Sequence, residues 1–152
     1  MKKTTEIDKY YGIRLGNQLC FPLYACAKEI VRLYRKPLAE IGLTYTQYVV
    51  MMVLWEYGTM SEGELGKHVY LDSGTLAPLL KRLEKQGLIS RIRPENNERK
   101  LFISLTKEGE ALKDRAVNVP VAMQGCIPMP GEKLIMLRDL LNQALECMEK
   151  ED

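Results

Sequence analysis

The chain has 152 residues, of which 46% are hydrophobic and 28% are charged, and its formal net charge at pH 7 is +2. This composition is typical of one globular domain with enough apolar side chains for a core. The sequence contains no run of about 18 apolar residues, and its N-terminus lacks the apolar stretch of a signal peptide. We therefore expect a cytoplasmic protein that does not enter a membrane.

The first predicted helix ends near residue 41. Apolar side chains recur in this segment at three- and four-residue steps, as they do on one face of a helix. Pro22 is tolerated only near a helix start, which places the first turn at about residues 19–22 with Asn17 as the candidate cap. Cys20 is therefore predicted to lie at the positive end of a long helix.

A second, strongly apolar helix is predicted for residues 43–57. Thr44 or Thr46 can cap its N-terminus, and Gly58 follows its last residue. Its valine, methionine, leucine and tryptophan side chains are expected to lie in the core.

Two further helices are predicted in residues 61–86. Ser61 with Glu64 three residues later forms a capping box, which starts a short helix. A second helix is predicted from about residue 73 to residue 86, where Gly87 ends it.

Two β-rich runs follow, at residues 88–94 and 101–105. Six polar residues between them have the composition of a hairpin tip. Helix, turn, helix and a two-stranded ribbon are the parts of a winged helix-turn-helix, which reads DNA.

The second helix of this unit is amphipathic. Four leucines cluster within about 100° of arc at 100° per residue, and cations lie on the opposite side. Pro78 is expected within the first turn, which requires a cap at about Gly74 or Thr75. Side chains in that turn usually contact bases in the major groove. The candidate DNA-contacting residues are Ser73, Thr75, Pro78, Lys81, Arg82, Lys85, Arg91, Arg93, Arg99 and Lys100.

Positive charge is concentrated in the same unit. From Lys81 to Lys100 there are seven basic residues and three acidic ones. Such a patch suits the neutralisation of DNA phosphates. Charge alone favours a solvated helix face with an exposed hairpin, but charge together with the order of the elements favours DNA binding.

The C-terminal third is predicted to serve another purpose. Thr106 caps a helix that runs to about Val119 and breaks at Pro120, and residues 121–131 form a linker. The last helix carries one apolar stripe, and residues 101–152 hold six bases against nine acids. A monomer of this size cannot easily bury the apolar faces of long helices at both ends, so we expect a homodimer.

Three segments carry a resemblance to a known family. They read NQLCFPLYACAKEIVRLYRKPLAEIGLTYTQYVVMMVLWE, YLDSGTLAPLLKRLEKQGLI and, in the wing, RIRPENNERKLFISLTKEG. The element order and the wing resemble the MarR family of bacterial transcription regulators. The first two segments are similar to the organic hydroperoxide sensors of that family, the OhrR type. The resemblance covers nearly the whole chain from about residue 17.

The resemblance implies a homodimeric repressor that binds an inverted-repeat operator in double-stranded DNA and releases it when an organic hydroperoxide oxidises a cysteine. The sensing cysteine of the family falls on Cys20, and the two tyrosines that hydrogen-bond it fall on Tyr34 and Tyr45. The wing arginine that enters the minor groove falls on Arg99. Asn97 departs from the pattern, because the family commonly has an acidic residue there that helps to hold the arginine.

The partner that resolves oxidised Cys20 is left open. Two-cysteine members of the branch carry a second thiol shortly before the last helix, where Cys126 stands. One-cysteine members trap a low-molecular-weight thiol instead. We favour Cys126, and we expect Cys26 and Cys147 to be passive.

The residues themselves support a sensor at Cys20. The thiolate is the reactive species, and both a helix N-terminus and phenolic donors favour that form. The apolar neighbours Leu19, Phe21 and Leu23 suit an alkyl or lipid hydroperoxide. The competing interpretation is that Cys20 is a small buried hydrophobic residue and that the two tyrosines are core aromatics.

These observations predict a mainly α fold with a small β-ribbon (α+β). Residues 1–152 are expected to form a single domain, with the winged helix-turn-helix at about 43–106 and dimerisation helices at about 10–41 and 107–150. The predicted function is a redox-switched repressor. The alternative is a MarR-type repressor relieved by a small aromatic or phenolic ligand, with Cys20 not the sensor. We expect no enzyme activity, no cofactor and no metal, since the cysteines lack metal-site spacing.

Overall fold

The structure, a computed structural model, describes residues 9–95 and 100–149. Short 3-10 turns at Tyr11–Ile13 and Leu15–Asn17 precede the first helix. The elements that follow, in chain order, are α1 (Cys20–Glu40), α2 (Tyr45–Tyr57), β1 (Met60–Ser61), α3 (Glu62–Val69), α4 (Ser73–Lys85), β2 (Ile89–Ile92), β3 (Phe102–Leu105), α5 (Lys107–Ala116), α6 (Asn118–Met123) and α7 (Gly131–Glu149). The predicted fold class, a winged helix-turn-helix flanked by long helices, is confirmed.

Helix α1 begins at Cys20, as the position of Pro22 predicts, but its cap is not Asn17. The N-cap residue is Leu19, which makes no side-chain capping bond. The side-chain amide of Asn17 donates to the carbonyl oxygen of Tyr11 at 2.7 Å. The expectation for Asn17 was wrong because its side chain hydrogen-bonds the 3-10 turn at Tyr11–Ile13 and does not cap α1.

Helix α2 is capped by Thr44 and ends before Gly58, as predicted, but it begins at Tyr45 and not at residue 43. The hydroxyl of Thr44 accepts from the backbone of Gln47, and the side chain of Gln47 accepts from the backbone of Thr44, which forms a full capping box. Gly58 ends the helix with φ at +76°. Glycine adopts this left-handed conformation with little strain because it has no Cβ.

The start of α4 differs from the expectation. Asp72, not Gly74 or Thr75, is the N-cap residue, and its carboxylate accepts from the backbone N–H of Thr75 at 2.9 Å. This cap starts the helix earlier and moves Pro78 into the second turn. Pro78 there removes the helical hydrogen bond to the carbonyl of Gly74, and it does so on the exposed face of α4.

The wing forms a three-stranded antiparallel sheet in the order β1-β3-β2. Strands β2 and β3 lie within the two predicted runs. Strand β1 was not predicted, because two residues show no periodicity; its partners are Ile103, opposite Met60, and Phe102, opposite Ser61. The hairpin tip includes residues 96–99, which lie outside the described residues.

The core lies among α2, α3, α4, α5, the sheet, the C-terminal part of α1 and α6. All four predicted leucines of α4 are buried: Leu76, Leu79, Leu80 and Leu83. Helix α5 is held against the base of the wing, where a Cβ on Gly109 would lie 1.9 Å from the carbonyl oxygen of Leu88. The indole N–H of Trp55 donates to the carbonyl of Gly109 at 2.9 Å.

The segment after α5 also differs from the expectation. Helix α5 ends at Ala116, before Pro120, and α6 occupies part of the predicted linker. Pro120 lies in the first turn of α6, where its missing N–H costs no helical hydrogen bond. Pro120 therefore helps to start a helix instead of ending one.

Helix α7 and the first half of α1 leave apolar faces uncovered. No residue of α7 is buried. Exposed large apolar side chains include Leu19, Phe21, Leu23 and Tyr24 on or beside α1, and Ile135, Met136, Leu137, Leu140, Leu141 and Met148 on α7. Within the described residues no single helix is long and apolar enough to cross a bilayer; α1 and α2 meet that test only as a pair, which bends by 72°.

Candidate functional site

Cys20 is the first residue of α1, and its side chain is exposed. The first backbone N–H groups of a helix have no partner within the helix. An exposed thiol at such a position is accessible to a peroxide, and the thiolate is the form that reacts. In the single chain the side chain of Cys20 is not buried, whereas Tyr34 and Tyr45 are partly buried against the core.

Tyr34 and Tyr45 form an aromatic pair where α1 faces the start of α2. Their ring centroids lie 5.2 Å apart in an edge-to-face arrangement, and Tyr48 lies 6.2 Å from Tyr34. Burial, and then the proximity of Tyr45, raise the pKa of Tyr34 above its ordinary value. A phenol is protonated at neutral pH even at its ordinary pKa, so Tyr34 can donate a hydrogen bond.

The chain does not bring Cys20 and the two tyrosines together. Cys20 and Tyr34 lie on the same continuous helix, and their fourteen-residue separation corresponds to a rise of about 21 Å. A tyrosine side chain cannot reach across that distance. Tyr45 packs on Tyr34 and lies at the same far end of α1. One chain therefore holds the thiol at one end of the helix and the phenols at the other.

An apolar cavity of about 580 Å³ extends along α1 between these groups. Its walls come from α1, from the start of α2 and from α7. The lining residues are Leu19, Pro22, Leu23, Cys26, Ala27, Ile30, Val31, Tyr45, Leu137 and Leu141. Leu19 and Pro22, which flank Cys20 in the sequence, line the cavity together with Tyr45, whereas Cys20 itself is not among the lining residues.

The other cysteines are also free and exposed. Cys126 lies between α6 and α7, and its thiol donates to the carbonyl of Ala122 at 3.4 Å. Cys26 lines the apolar cavity, and Cys147 lies near the end of α7. Among the described residues, no group of three or more His, Cys, Asp or Glu side chains could hold a metal ion.

Most of the predicted DNA-reading side chains are exposed. Ser73 and Thr75 are in the first turn of α4, and the hydroxyl of Thr75 donates to the carboxylate of Asp72 at 3.0 Å. Exposed members of the set are Ser73, Thr75, Pro78, Lys81, Arg82, Lys85, Arg93 and Lys100. Arg99 and Asn97 lie outside the described residues.

Arg91 differs from the other basic residues. Its guanidinium donates twice to one carboxylate oxygen of Glu84, at 2.9 and 2.6 Å, and joins β2 to α4. The hydrogen bond from Arg91 holds the pKa of Glu84 below its ordinary value. The structure therefore gives Arg91 a role in docking the wing against α4, which its charge alone did not reveal.

Sequence reasoning also missed Gln47 and Gln86, whose side chains join α2 to α4. The amide nitrogen of Gln47 donates to the side-chain oxygen of Gln86 at 3.1 Å. The two residues are 39 positions apart, so no local pattern could have paired them.

Comparisons with known proteins agree with this architecture. The family model described as "Transcriptional regulator SarA/Rot" matches residues 32–116. The organic hydroperoxide resistance transcriptional regulator of Bacillus subtilis is 42% identical over 145 residues, which cover 95% of this chain and 99% of that protein. The regulator SarZ of Staphylococcus aureus is 46% identical over 107 residues, which cover 70% of this chain and 72% of that protein.

Solved structures give the same result. Reduced AbfR bound to DNA has a TM-score of 0.74 at 34% identity and covers 90% of this chain and 95% of its own; another AbfR structure names Staphylococcus epidermidis as its source. Disulfide-formed AbfR has a TM-score of 0.63 at 35% identity, and the match covers 90% of this chain and 93% of that chain. NadR in complex with 4-hydroxyphenylacetate has a TM-score of 0.67 at 28% identity, and the match covers 84% of this chain and 92% of that chain.

Fold, basic surface and relatives together define a winged-helix transcription regulator. Its relatives are regulators and not enzymes, as predicted. The chain belongs to the MarR family, in its organic hydroperoxide sensor (OhrR-type) branch. Regulators of this family act as dimers on DNA.

Proposed function

We propose that this protein is a cytoplasmic repressor that binds an operator in double-stranded DNA, senses organic hydroperoxides by oxidation of Cys20 and then releases the operator. The observation that carries the proposal is the 42% identity, over 99% of its length, to the Bacillus subtilis hydroperoxide resistance regulator. The exposed thiol at the start of α1 is consistent with it.

A second copy of the chain completes the sensing site in this proposal. Because α1 separates Cys20 from Tyr34 by about 21 Å, hydrogen bonds to its thiolate have to come from Tyr34 and Tyr45 of the other copy. An antiparallel pairing of two α1 helices places each thiol beside the opposite phenols. The uncovered apolar faces of α1 and α7 supply the contact surface.

The proposed division of the single domain follows from the same contacts. Residues 43–106 form the DNA-reading core, and residues 10–41 and 107–150 provide the dimerisation helices. A two-fold dimer presents two copies of α4, which suits an operator with two inverted half-sites.

The proposed chemistry has two steps. The thiolate of Cys20 attacks the terminal peroxide oxygen, the O–O bond breaks, and the alkoxide leaves and takes up a proton as an alcohol. The sulfur, oxidised by two electrons, is then a sulfenic acid. A thiol condenses with the sulfenic acid, forming a disulfide and releasing water. Cys126 is the proposed resolving thiol, and a low-molecular-weight thiol is the alternative.

The apolar cavity that is lined by Leu19 and Pro22, the sequence neighbours of Cys20, supports an organic inducer. Its walls are almost entirely hydrocarbon, so they favour an alkyl, aryl or lipid tail over the strongly hydrated hydrogen peroxide. The same cavity also favours a second candidate function. NadR is similar in structure and its solved complex contains 4-hydroxyphenylacetate, so a small aromatic ligand is the competing inducer.

DNA binding is proposed to rest on the exposed cations of α4 and the wing, with Ser73 and Thr75 positioned for base contacts. The proposed contact of Arg99 with the minor groove rests only on the resemblance to the family. Arg91 is proposed to position the wing through Glu84. The ion pair stabilises the fold above the ordinary pKa of a glutamate, and this contribution is lost as pH falls through the lowered pKa of Glu84.

Salt dependence of DNA binding separates these two roles. Replacing Lys81 with methionine is expected to flatten the slope of log K against log salt by about 0.9 per lost phosphate contact, hence about 1.8 per dimer. The Arg91→Met variant should keep the wild-type slope and lose less than about 1 kcal/mol of folding stability. Titrations at four salt concentrations measure the slope, and urea unfolding measures the stability. An equal loss of slope in both variants would show that Arg91 leaves Glu84 to bind phosphate.

One experiment tests the proposed function as a whole. The reduced protein is used to select a tight-binding duplex from a random DNA library, and one equivalent of cumene hydroperoxide is then added to the complex. We expect release of the duplex together with a modified Cys20 in the mass spectrum. A Cys20–Cys126 peptide identifies the resolving thiol. In a parallel reaction to which a low-molecular-weight thiol is added with the peroxide, an adduct of that thiol on Cys20 without the Cys20–Cys126 peptide assigns the alternative. An unmodified Cys20, or a modified protein that stays on the duplex, contradicts the proposal.

A further inference from the structure

A chain of side-chain amides joins the start of α2 to the end of α4. The side-chain oxygen of Gln47 accepts from the backbone N–H of Thr44 at 2.8 Å, and its nitrogen donates to the side-chain oxygen of Gln86 at 3.1 Å. The nitrogen of Gln86 donates in turn to the carbonyl of Gly42 at 3.0 Å. These hydrogen bonds link the α1–α2 loop, the N-terminus of α2 and the C-terminus of α4.

The position of Gln47 makes this link hard to break. Gln47 is 6% exposed. Among the residues that the structure describes, it is the one buried residue with an amide or charged side chain. A buried amide that loses its partner is costly, because water cannot replace the lost hydrogen bond. The two helix ends are therefore favoured to move together.

Both ends of the link belong to functional elements. Tyr45 is the first residue of α2 and follows its cap, Thr44. Gln86 is the C-cap residue of α4, the helix that carries the DNA-facing cations. A rearrangement around Tyr45 that shifts the start of α2 reaches the end of α4 through Gln47 and Gln86.

We infer that Gln47 and Gln86 are positioning residues that couple the redox state of the sensing site to the orientation of the recognition helix α4. This inference rests on the proposed function. When Cys20 is oxidised, the phenol of Tyr45 loses the thiolate as its hydrogen-bond acceptor, and the start of α2 adjusts. The amide link carries that adjustment to α4, so the spacing of the two recognition helices no longer matches the two half-sites.

The test uses Gln86→Met, which keeps the length of the side chain and removes both hydrogen bonds of its amide. Gln86 is exposed, so the variant is expected to fold. The readout is the ratio of the duplex Kd of the oxidised protein to that of the reduced protein. We expect the reduced Kd to stay within about two-fold of wild type and the ratio to fall at least about five-fold, the lower range of measured coupling.

Two further variants make the result specific. Gln124 is the C-cap residue of α6 and lies outside the amide link, so Gln124→Met is the matched control and should keep the wild-type ratio. Gln86→Glu keeps an acceptor for the nitrogen of Gln47 and should stay within about two-fold of the wild-type ratio. The melting temperature of Gln86→Met should fall, because the buried amide of Gln47 loses its acceptor, and that of Gln124→Met should be unchanged. The rate of Cys20 oxidation, followed by mass spectrometry, should be unchanged in all three variants.

The failure of this inference is distinct from the failure of the proposed function. If oxidation of Cys20 does not release the duplex from the wild-type protein, the proposed function fails. If the wild type releases the duplex and Gln86→Met keeps the same ratio, the coupling inference is overturned. A loss of the ratio in Gln86→Glu as large as in Gln86→Met also overturns it, because the bond from Gln47 is then not the link.

Discussion

Replacing Cys20 with serine is expected to abolish the release of DNA by cumene hydroperoxide while leaving the Kd of the reduced complex within about two-fold of wild type. A serine hydroxyl cannot be oxidised to a sulfenic acid or form a disulfide. The side chain is exposed, so the change should alter folding stability by less than about 0.5 kcal/mol. Fluorescence anisotropy of a labelled duplex, before and after one equivalent of peroxide, measures the effect.

The other exposed cysteines provide matched controls. Cys26→Ser changes a wall of the apolar cavity, and Cys147→Ser changes the end of α7; both variants should release DNA as the wild type does. Release by peroxide from Cys20→Ser would remove Cys20 as the sensor. Release of the same variant by 4-hydroxyphenylacetate, with no effect of peroxide on the wild type, would support the ligand-relieved repressor.

Introducing glutamate at Leu137 and Leu141 together is expected to convert the dimer into a monomer. Both leucines line the cavity on the uncovered face of α7, and dimerisation would bury two carboxylates per chain without partners. An unpaired buried charge costs several kcal/mol, so the dimer Kd should rise by at least about 1,000-fold. Analytical ultracentrifugation across a concentration series measures it.

The same double variant tests where the phenols of the sensing site come from. If Tyr34 and Tyr45 of a second copy stabilise the thiolate, a monomer should oxidise Cys20 more slowly at equal peroxide concentration. Gln143→Glu, which adds a carboxylate to α7 away from the apolar stripe, is the control and should leave both the dimer and the oxidation rate unchanged. A monomer that oxidises Cys20 at the wild-type rate would contradict the two-chain site.

Local sequence patterns determined those parts of the fold that depend on neighbouring residues. Thr44 with Gln47 and Ser61 with Glu64 form capping boxes, because the hydrogen bonds join residues only three positions apart. The leucine spacing of α4 identified its buried face for a similar reason, since helical geometry fixes which residues share a side. The positions of the basic residues on α4 were predicted from the same helical spacing. The family was identified from the similarity of whole segments of sequence.

Contacts between elements were decided by the tertiary structure alone. The pairing of β1 with β3, the ion pair between Arg91 and Glu84, and the bond between Gln47 and Gln86 each join elements whose approach no local pattern encodes. The cap of α4 is Asp72, and not Gly74 or Thr75 as expected, because the carboxylate of Asp72 reaches the backbone N–H of Thr75.

For the proposed sensing site, the sequence identified the residues, and the tertiary structure showed how far apart they lie in one chain. The sequence alone identified Cys20 at a helix start and, by resemblance, Tyr34 and Tyr45 as its partners. Only the continuous course of α1 showed that one chain cannot join them. The physical reason is length: a helix rises about 1.5 Å per residue, so groups fourteen positions apart on it can meet only through a second molecule.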